Sequence, residues 1–99
     1  MLSPGDHARV NDGGVLAAVD ERSYDEAVRA AEINDEIGKA RLIASGRVFS
    51  LAEGPEVLIV DESWSGERKQ VRILSASPES HFGQVVWIPK AGLAKIKRP

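Results

Sequence analysis

The sequence contains no cysteine, and this absence excludes disulfide bonds, thiolate metal ligands and a cysteine nucleophile together. Aromatic residues are also scarce, at 5% of the chain. No apolar run approaches the roughly 18 to 20 residues that span a bilayer, and the start, MLSPGDHARV, lacks the basic and apolar regions of a signal peptide. These absences predict a cytoplasmic protein whose fold depends on no disulfide bond.

The remaining composition is that of an ordinary soluble globular protein, with 42% hydrophobic and 28% charged residues. A chain of 99 residues suits one domain, so we assign residues 1–99 to a single domain. The formal net charge of −2 hides an uneven distribution: residues 1–36 carry −6, residues 37–62 carry −1 and residues 63–99 carry +5. The chain is acidic at its start and basic at its end.

Helical patterns occupy residues 23–45. Ser23 and Glu26 form an S-x-x-E capping box, which predicts that a helix begins at Ser23. Asp35 lies where a second helix would be capped, and Gly46 lies where a left-handed glycine would end it. The predicted buried stripe of the first helix has helical spacing and consists of Tyr24, Ala27, Val28 and Ala31. We therefore predict two short helices, or one kinked helix.

Strand patterns occupy the rest of the chain. Residues 7–19 contain two apolar stretches around a Gly-Gly turn, which indicates a β-hairpin or a bent strand. From residue 46 to residue 98, apolar runs at strand period alternate with turns. The predicted strands are 48–51, 57–60, 71–74, 85–88 and 94–97. The pattern predicts a mainly β, α+β fold, in which the helices at 23–45 are inserted after the first strand region.

The segment from Gly46 to Leu93 resembles the bacterial Src-homology-3-like small β-barrel, and the chain resembles uncharacterised small bacterial or phage proteins of that type. The resemblance depends on the order and spacing of Gly54, Val57, Ile59, Val71, Ile73, Gly83, Trp87, Ile88 and Pro89. It implies a barrel of five to six short antiparallel strands, in which a single helical turn precedes the closing strand. Such barrels serve many unrelated functions, so the fold alone assigns none.

The same resemblance suggests a binding surface. Signalling members bind proline-rich peptides in an aromatic groove, where Trp64 would match the loop tryptophan and Pro89 the proline at the end of a strand. The usual tyrosines are absent, because Ala91, Gly92 and Leu93 stand where the family has S-N-Y. This departure argues against polyproline recognition. It leaves protein or peptide binding of another kind.

Two tryptophans are candidates for that surface. Trp64 lies in a polar loop, where a large aromatic side chain has little local reason to occur unless it contacts a partner or covers the end of the barrel. Trp87 either packs on the core or the inserted helices, or joins Pro89 at an exposed corner. We predict a non-enzymatic protein- or peptide-binding module that uses Trp64, Trp87 and Pro89.

The two histidines are the first candidates for catalysis and metal binding. His81 follows Glu79 and Ser80, but adjacent residues do not provide the alignment of a nucleophilic triad. His7 lies near Asp6 and Asp12, yet this spacing matches no metal-ligand motif. We predict no catalytic residue, no metal and no cofactor. A small enzyme or ligand carrier remains the third alternative, which a concave pocket with convergent polar groups would support.

The basic end of the chain gives the second alternative, single-stranded nucleic-acid binding. Its cations are Arg68, Lys69, Arg72, Lys90, Lys95 and Lys97. The acidic helix face gives a further prediction, because it could pair with this basic face in another copy and produce a homo-oligomer. That acidic face consists of Asp25, Glu26, Glu32, Asp35 and Glu36.

Overall fold

The computed structural model describes residues 2–11, 14–74 and 83–96. The strands are β1 (His7–Val10), β2 (Val15–Ala18), β3 (Val48–Leu51), β4 (Glu56–Glu62), β5 (Arg68–Ile73), β6 (Val85–Pro89) and β7 (Leu93–Lys95). The helices are α1 (Glu21–Glu32) and α2 (Glu36–Ala44), and a 3-10 turn (Lys90–Gly92) joins β6 to β7. The protein is therefore an α+β protein, with the helices inserted between β2 and β3 as predicted.

The described strands form one antiparallel sheet in the order β3-β2-β6-β5-β4-β1-β7. The sheet is not closed, since β3 and β7 are its edges. β1 lies between β4 and β7, whereas β2 lies between β3 and β6. Because β1 and β2 do not pair with each other, the prediction of a hairpin at 7–19 is wrong. The two strands have different neighbours on either side of the turn at Gly14.

The main core lies on one face of this sheet, and all seven described strands contribute to it. Buried and more exposed residues alternate along β4 and β5, as a strand with one buried face requires. Each buried Val or Ile contributes roughly 1.5 to 3 kcal/mol relative to an exposed side chain. The largest fully buried aliphatic side chains are Val10, Val57, Ile59, Val71, Ile73, Val86 and Ile88.

A second, smaller core lies on the opposite face, between the helices and the strands β2, β3 and β6. Its buried members are Ala18, Tyr24, Ala27, Leu42, Val48 and Trp87. Trp87 is 8% exposed, so the expectation that it packs on the inserted helices is confirmed. Within the described ranges, neither helix has the length and apolar character needed to cross a membrane.

The start of α1 differs from the prediction. Asp20 is the N-cap, and its carboxylate accepts a hydrogen bond of 2.7 Å from the Ser23 backbone N–H. Ser23 lies inside the first turn, where its buried hydroxyl accepts a hydrogen bond of 2.9 Å from Arg47 Nε. The Ser23 capping box is therefore wrong. A carboxylate three residues earlier already binds the amide that needs a partner.

The junctions at the helix ends follow the sequence signals. Asn34, at φ 56°, ends α1 in the left-handed region, and Asp35 then caps α2 by accepting a hydrogen bond of 2.9 Å from the Gly38 N–H. Gly46, at φ 75°, ends α2, and the N–H groups of Gly46 and Arg47 donate to the carbonyls of Ile43 and Leu42. This is a Schellman motif. The two-helix alternative is thus confirmed.

The buried stripe of α1 is rotated from the predicted one. Tyr24 and Ala27 are buried as expected, but Val28 and Ala31 are exposed. Ser23 and Ala30 are buried in their place. Ser23 binds Arg47, and Ala30 lies beside Gly38 and Leu42 of α2. Val28 and Ala31 instead lie at the side of the helix.

Candidate functional site

Trp64 lies at the tip of the hairpin between β4 and β5 and is fully exposed to solvent. The Gly66 N–H donates to the Ser63 carbonyl at 2.9 Å, which closes a four-residue turn, and Gly66 adopts φ 76°. Glycine accepts this left-handed conformation without steric cost. The Ser63 N–H also donates to the Arg68 carbonyl. The backbone around the indole is therefore held by hydrogen bonds although its side chain touches solvent.

Two neighbouring elements fix the base of the hairpin. The Lys90 N–H donates to the Glu67 carbonyl at 3.0 Å, which joins the loop to the 3-10 turn. The Arg68 guanidinium lies 4.3 Å from the centre of the Tyr24 ring and forms an ion pair of 2.7 Å with Asp25 on α1. Such cation–π and ionic contacts fix the side chain and join the hairpin to the helical layer.

A concave surface of about 700 Å³ lies beside Trp64. Leu2 and Ala91 supply apolar surface, and Lys90 supplies an exposed cationic group. The residues that define this surface, hereafter the Trp64 surface, are Leu2, Glu62, Trp64, Lys69, Lys90 and Ala91. The arrangement combines an exposed aromatic ring with a shallow depression and charges of both signs.

Lys69 is buried at the edge of the Trp64 surface, with 4% of the residue exposed. It lies on the same buried face of β5 as Val71 and Ile73. Its ammonium donates to the Leu2 carbonyl and the Glu62 carboxylate. A buried ammonium needs such partners to offset the loss of hydration. Lys69 therefore holds the N-terminal segment against the hairpin and is not part of an exposed basic face.

The structure separates the three residues predicted for the protein-binding surface. Trp87 lies under the helices, so its assignment to an exposed corner is corrected: a side chain in the second core cannot contact a partner without unfolding that layer. Pro89 is half-buried, stands opposite Arg68 and ends β6 directly before Lys90. Trp64 alone of the three is fully exposed.

The cations predicted for nucleic-acid binding do not share one surface. Arg68 faces the helices and Lys69 is buried, while Lys90 lies 3.8 Å from Glu67 and Lys95 lies 3.6 Å from Asp6. Arg72 is exposed on β5, and Lys97 lies outside the described residues. Four of these six cations thus have a carboxylate partner in the same chain. These ion pairs reduce the positive charge available to phosphate groups.

The acidic helix face also has partners within the molecule. Asp25 pairs with Arg68, and Glu26 pairs with Arg47 at 2.9 Å and with Arg22 at 3.3 Å. The Arg47 hydrogen bond holds the pKa of the Glu26 carboxyl below its usual range. Asp35 caps α2 and Glu36 pairs with Lys39. The excess acid of α1 and the excess base of β5 therefore meet inside one molecule at Asp25 and Arg68.

Of the two histidine candidates, His7 lies within the described residues, on β1. His7 Nδ1 lies 2.8 Å from the Glu56 carboxylate on the neighbouring strand. In the described part of the chain, no group of three or more histidine and carboxylate side chains could hold a metal ion. Glu79, Ser80 and His81 lie outside the described residues, as does Asp12.

Several residues of the Trp64 surface were not predicted from the sequence. Leu2 and Ala91 are apolar residues in short segments, and the sequence patterns assign neither of them a binding role. Glu62 belongs to a polar stretch that the sequence pattern assigns to a loop, but β4 extends to it and turns its carboxylate toward Lys69. The Ser-Gly pair at 65 and 66 was the available signal, because it marks the turn that presents Trp64.

Comparison of the chain with protein-family models, with curated proteins and with solved structures found no match in any of the three. The function must therefore be argued from the geometry of the site.

Proposed function

We propose that this protein is a non-enzymatic module that binds a protein or peptide partner through Trp64. The observation that carries the proposal is the complete exposure of an indole on a loop whose backbone is already fixed. A large aromatic residue offers much contact area, and a fixed loop loses little further conformational entropy on binding. Exposed tryptophans of this kind commonly contribute most of the energy of an interface.

The surroundings of Trp64 favour a particular chemistry in the partner. Leu2 and Ala91 would receive an apolar side chain beside the indole. Lys90 is half-exposed and lies 3.8 Å from Glu67, a loose ion pair that leaves its ammonium accessible. A partner carboxylate could therefore bind there. The proposed partner is a peptide segment with an apolar residue next to an acidic one.

We further propose that the described sheet is a partly open barrel of the Src-homology-3-like type. Two features support this proposal. The main core receives side chains from all seven described strands, including both edge strands, through Leu51 of β3 and Leu93 of β7. A 3-10 turn precedes the last strand, as the resemblance implies. In this arrangement the Trp64 hairpin takes the place of the loop that carries the family's tryptophan.

Site-specific photo-crosslinking in the source cells tests the proposed function. A photoreactive phenylalanine analogue at position 64 should capture a discrete partner, whereas the same analogue at Ile37, an exposed apolar position on α2, should not. For the captured partner, Trp64→Ala should lower the affinity by roughly 30-fold, the effect of losing about 2 kcal/mol at an interface hot spot. Calorimetric titration measures this change.

The matched control is Ile37→Ala, which removes an exposed apolar side chain of α2 that is not part of the Trp64 surface, and it should leave the affinity unchanged. Lys90→Ala should weaken binding by a smaller factor and reduce its dependence on salt, since an exposed charge contributes modestly to affinity. A Trp64→Ala protein that binds as tightly as wild type would contradict the proposal.

A further inference from the structure

The edge strand β3 lacks the proline, the charged residue and the bulge that can prevent an edge from pairing with another chain. Its sequence, Val48–Leu51, contains no proline and no charged residue, and the ladder with β2 shows no bulge. The opposite edge, β7, has three residues, the last of them Lys95. Short strands and edge lysines protect sheets against further pairing. Of the two edge strands, β7 therefore carries a protective lysine and β3 does not.

The pairing register shows which backbone groups of β3 face outward. The Val19 N–H donates to the Arg47 carbonyl at 3.0 Å, so the ladder bonds between β2 and β3 continue at every second residue, through Phe49 and Leu51. The N–H and C=O groups of Val48 and Ser50 therefore point away from β2. Ser50 is also exposed to solvent.

An apolar groove of about 670 Å³ runs beside this edge on the helical side of the sheet. Its floor is Leu16 and Val48, and its walls come from the side of α1 and from α2. Among the wall residues, Val28 is 36% exposed and Ile43 is 60% exposed. Its lining includes Leu16, Val28, Ala31, Ile43, Val48 and Ser50, together with the charged residues Glu32 and Lys39. Exposed apolar surface beside an open edge is typical of an interaction site.

We propose that β3 pairs with β3 of a second copy of this chain, antiparallel and around a two-fold axis at Ser50. In this register the Ser50 N–H of each copy donates to the Ser50 carbonyl of the other. The two-fold axis is perpendicular to the plane of the sheet, so the helices of both copies lie on the same face of the continuous sheet. The exposed side chains of Val28 and Ile43 then lie along one continuous apolar seam.

The charges at the two ends of β3 favour this occupant. Arg47 precedes the strand and Glu53 follows it, and the antiparallel register brings Arg47 of each copy opposite Glu53 of the other. Within its own chain Arg47 binds Ser23 through Nε and Glu26 through Nη2, so Nη1 is the group that would face Glu53. A parallel arrangement would place like charges together. A self-complementary surface of this kind is the requirement for a two-fold interface. The proposal is independent of Trp64, which lies on the β4–β5 hairpin and not at this edge.

A single cysteine gives the direct test, because the chain has none of its own. Residues in a hydrogen-bonded antiparallel pair have Cα atoms about 5.5 Å apart, within the range of a disulfide. Ser50→Cys should form a covalent dimer about tenfold faster or more than Ser65→Cys, because the interface holds the thiols at a high effective concentration. Ser65 is an exposed serine of the Trp64 hairpin and serves as the matched control.

Sedimentation velocity of unmodified variants gives the second test. Wild type and Ser50→Thr should dimerise, whereas Ser50→Pro should be a monomer, since proline removes a donor that the isolated fold does not use. Circular dichroism checks that Ser50→Pro is folded. If it is not folded, the comparison of Ser50→Cys with Ser65→Cys tests the proposal by itself. A wild-type protein that stays monomeric overturns the proposal. That is the result expected if the edge binds an extended peptide and not a second copy. A folded Ser50→Pro dimer, or equal crosslinking of the two cysteine variants, also overturns it.

Discussion

At the scale of single residues, the two tryptophans show how position decides the role of one residue type. Trp87 lies on β6, whose successive residues face the two cores in turn. Its ring packs under α1 and α2. Trp64 lies on a turn that has no core beneath its side chain. Burial of an indole stabilises the fold, whereas an exposed indole keeps that free energy available for an interface. Of the two tryptophans, it is therefore Trp64 whose exposure supports the proposed binding role.

Asp20 is a second residue with a defined local role, since its carboxylate satisfies the Ser23 N–H in the first turn of α1. Asp20→Ala should lower the free energy of unfolding by about 1 kcal/mol, the usual cost of losing an N-cap. Urea denaturation measures the change. Asp20→Asn is the matched control and should retain most of the stability, because asparagine caps helices as well as aspartate does. Equal losses in the two variants would refute the capping role.

At the scale of elements, the 3-10 turn and β2 meet closely at Gly92. A Cβ atom at this position would lie 2.8 Å from Val15 Cγ2, and Val15 itself is buried in the main core. Gly92→Ala should therefore destabilise the fold by roughly 1 to 3 kcal/mol, as overpacking of a core does. Thermal unfolding gives the effect.

The neighbour of Gly92 provides the control for this prediction. Val15→Ala alone leaves a cavity and is also destabilising, but in the double variant the new methyl group occupies part of that space. The double variant should consequently be more stable than the sum of the two single losses predicts. Strict additivity would show that a methyl group added at position 92 meets no steric barrier from Val15.

The elements themselves were largely predictable from local patterns, whereas their pairing was not. Alternating apolar residues predicted β3 to β6, and Asp35 and Gly46 predicted the ends of α2, because these signals depend on neighbours within a few residues. The separation of β1 from β2 depends on β4, β6 and β7, which lie far away in sequence. Local turn chemistry at Gly14 could not reveal those partners.

The candidate site was predictable to a similar extent. Trp64 stood out because a polar loop gives an indole no core to fill. The assignment of Lys69 to a basic face was wrong, because its burial depends on Glu62 and on the carbonyl of Leu2, which is 67 residues away along the chain. Composition counts charges, but it does not show which of them are already paired.

At the scale of the whole molecule, the charge gradient along the sequence becomes a set of contacts between layers. The acidic helix α1 meets a basic residue of β5 through Asp25 with Arg68, and the basic residue directly before β3 through Glu26 with Arg47. These pairs are partly exposed, so each contributes modestly in salt. Together with the Asp20 cap, they give three carboxylates of the helical layer a cationic or N–H partner.

This arrangement predicts how stability depends on pH. The pKa of Glu26 is lowered chiefly by its hydrogen bond to Arg47, and the pKa of Asp20 and that of Asp6 are lowered chiefly by backbone hydrogen bonds from Ser23 and Ser3. A carboxyl group whose pKa is lower in the folded state binds protons more readily when unfolded. Its contribution is thus present above the unfolded pKa, near 4.5 for Glu26 and 3.8 for the two aspartates, and is lost as the pH falls through the folded pKa.

We therefore expect the free energy of unfolding to be nearly constant from about pH 7 to about pH 5 and to fall steeply below about pH 4. Glu26→Gln should be less stable than wild type near pH 7, and the difference should shrink toward zero near pH 2, where both side chains are neutral. Glu32→Gln, on the same helix but with no ion pair among the described residues, should follow the wild-type curve. Denaturant unfolding at a series of pH values measures all three. A constant gap between wild type and Glu26→Gln at every pH would mean that Glu26 stabilises the fold by packing and not by its charge.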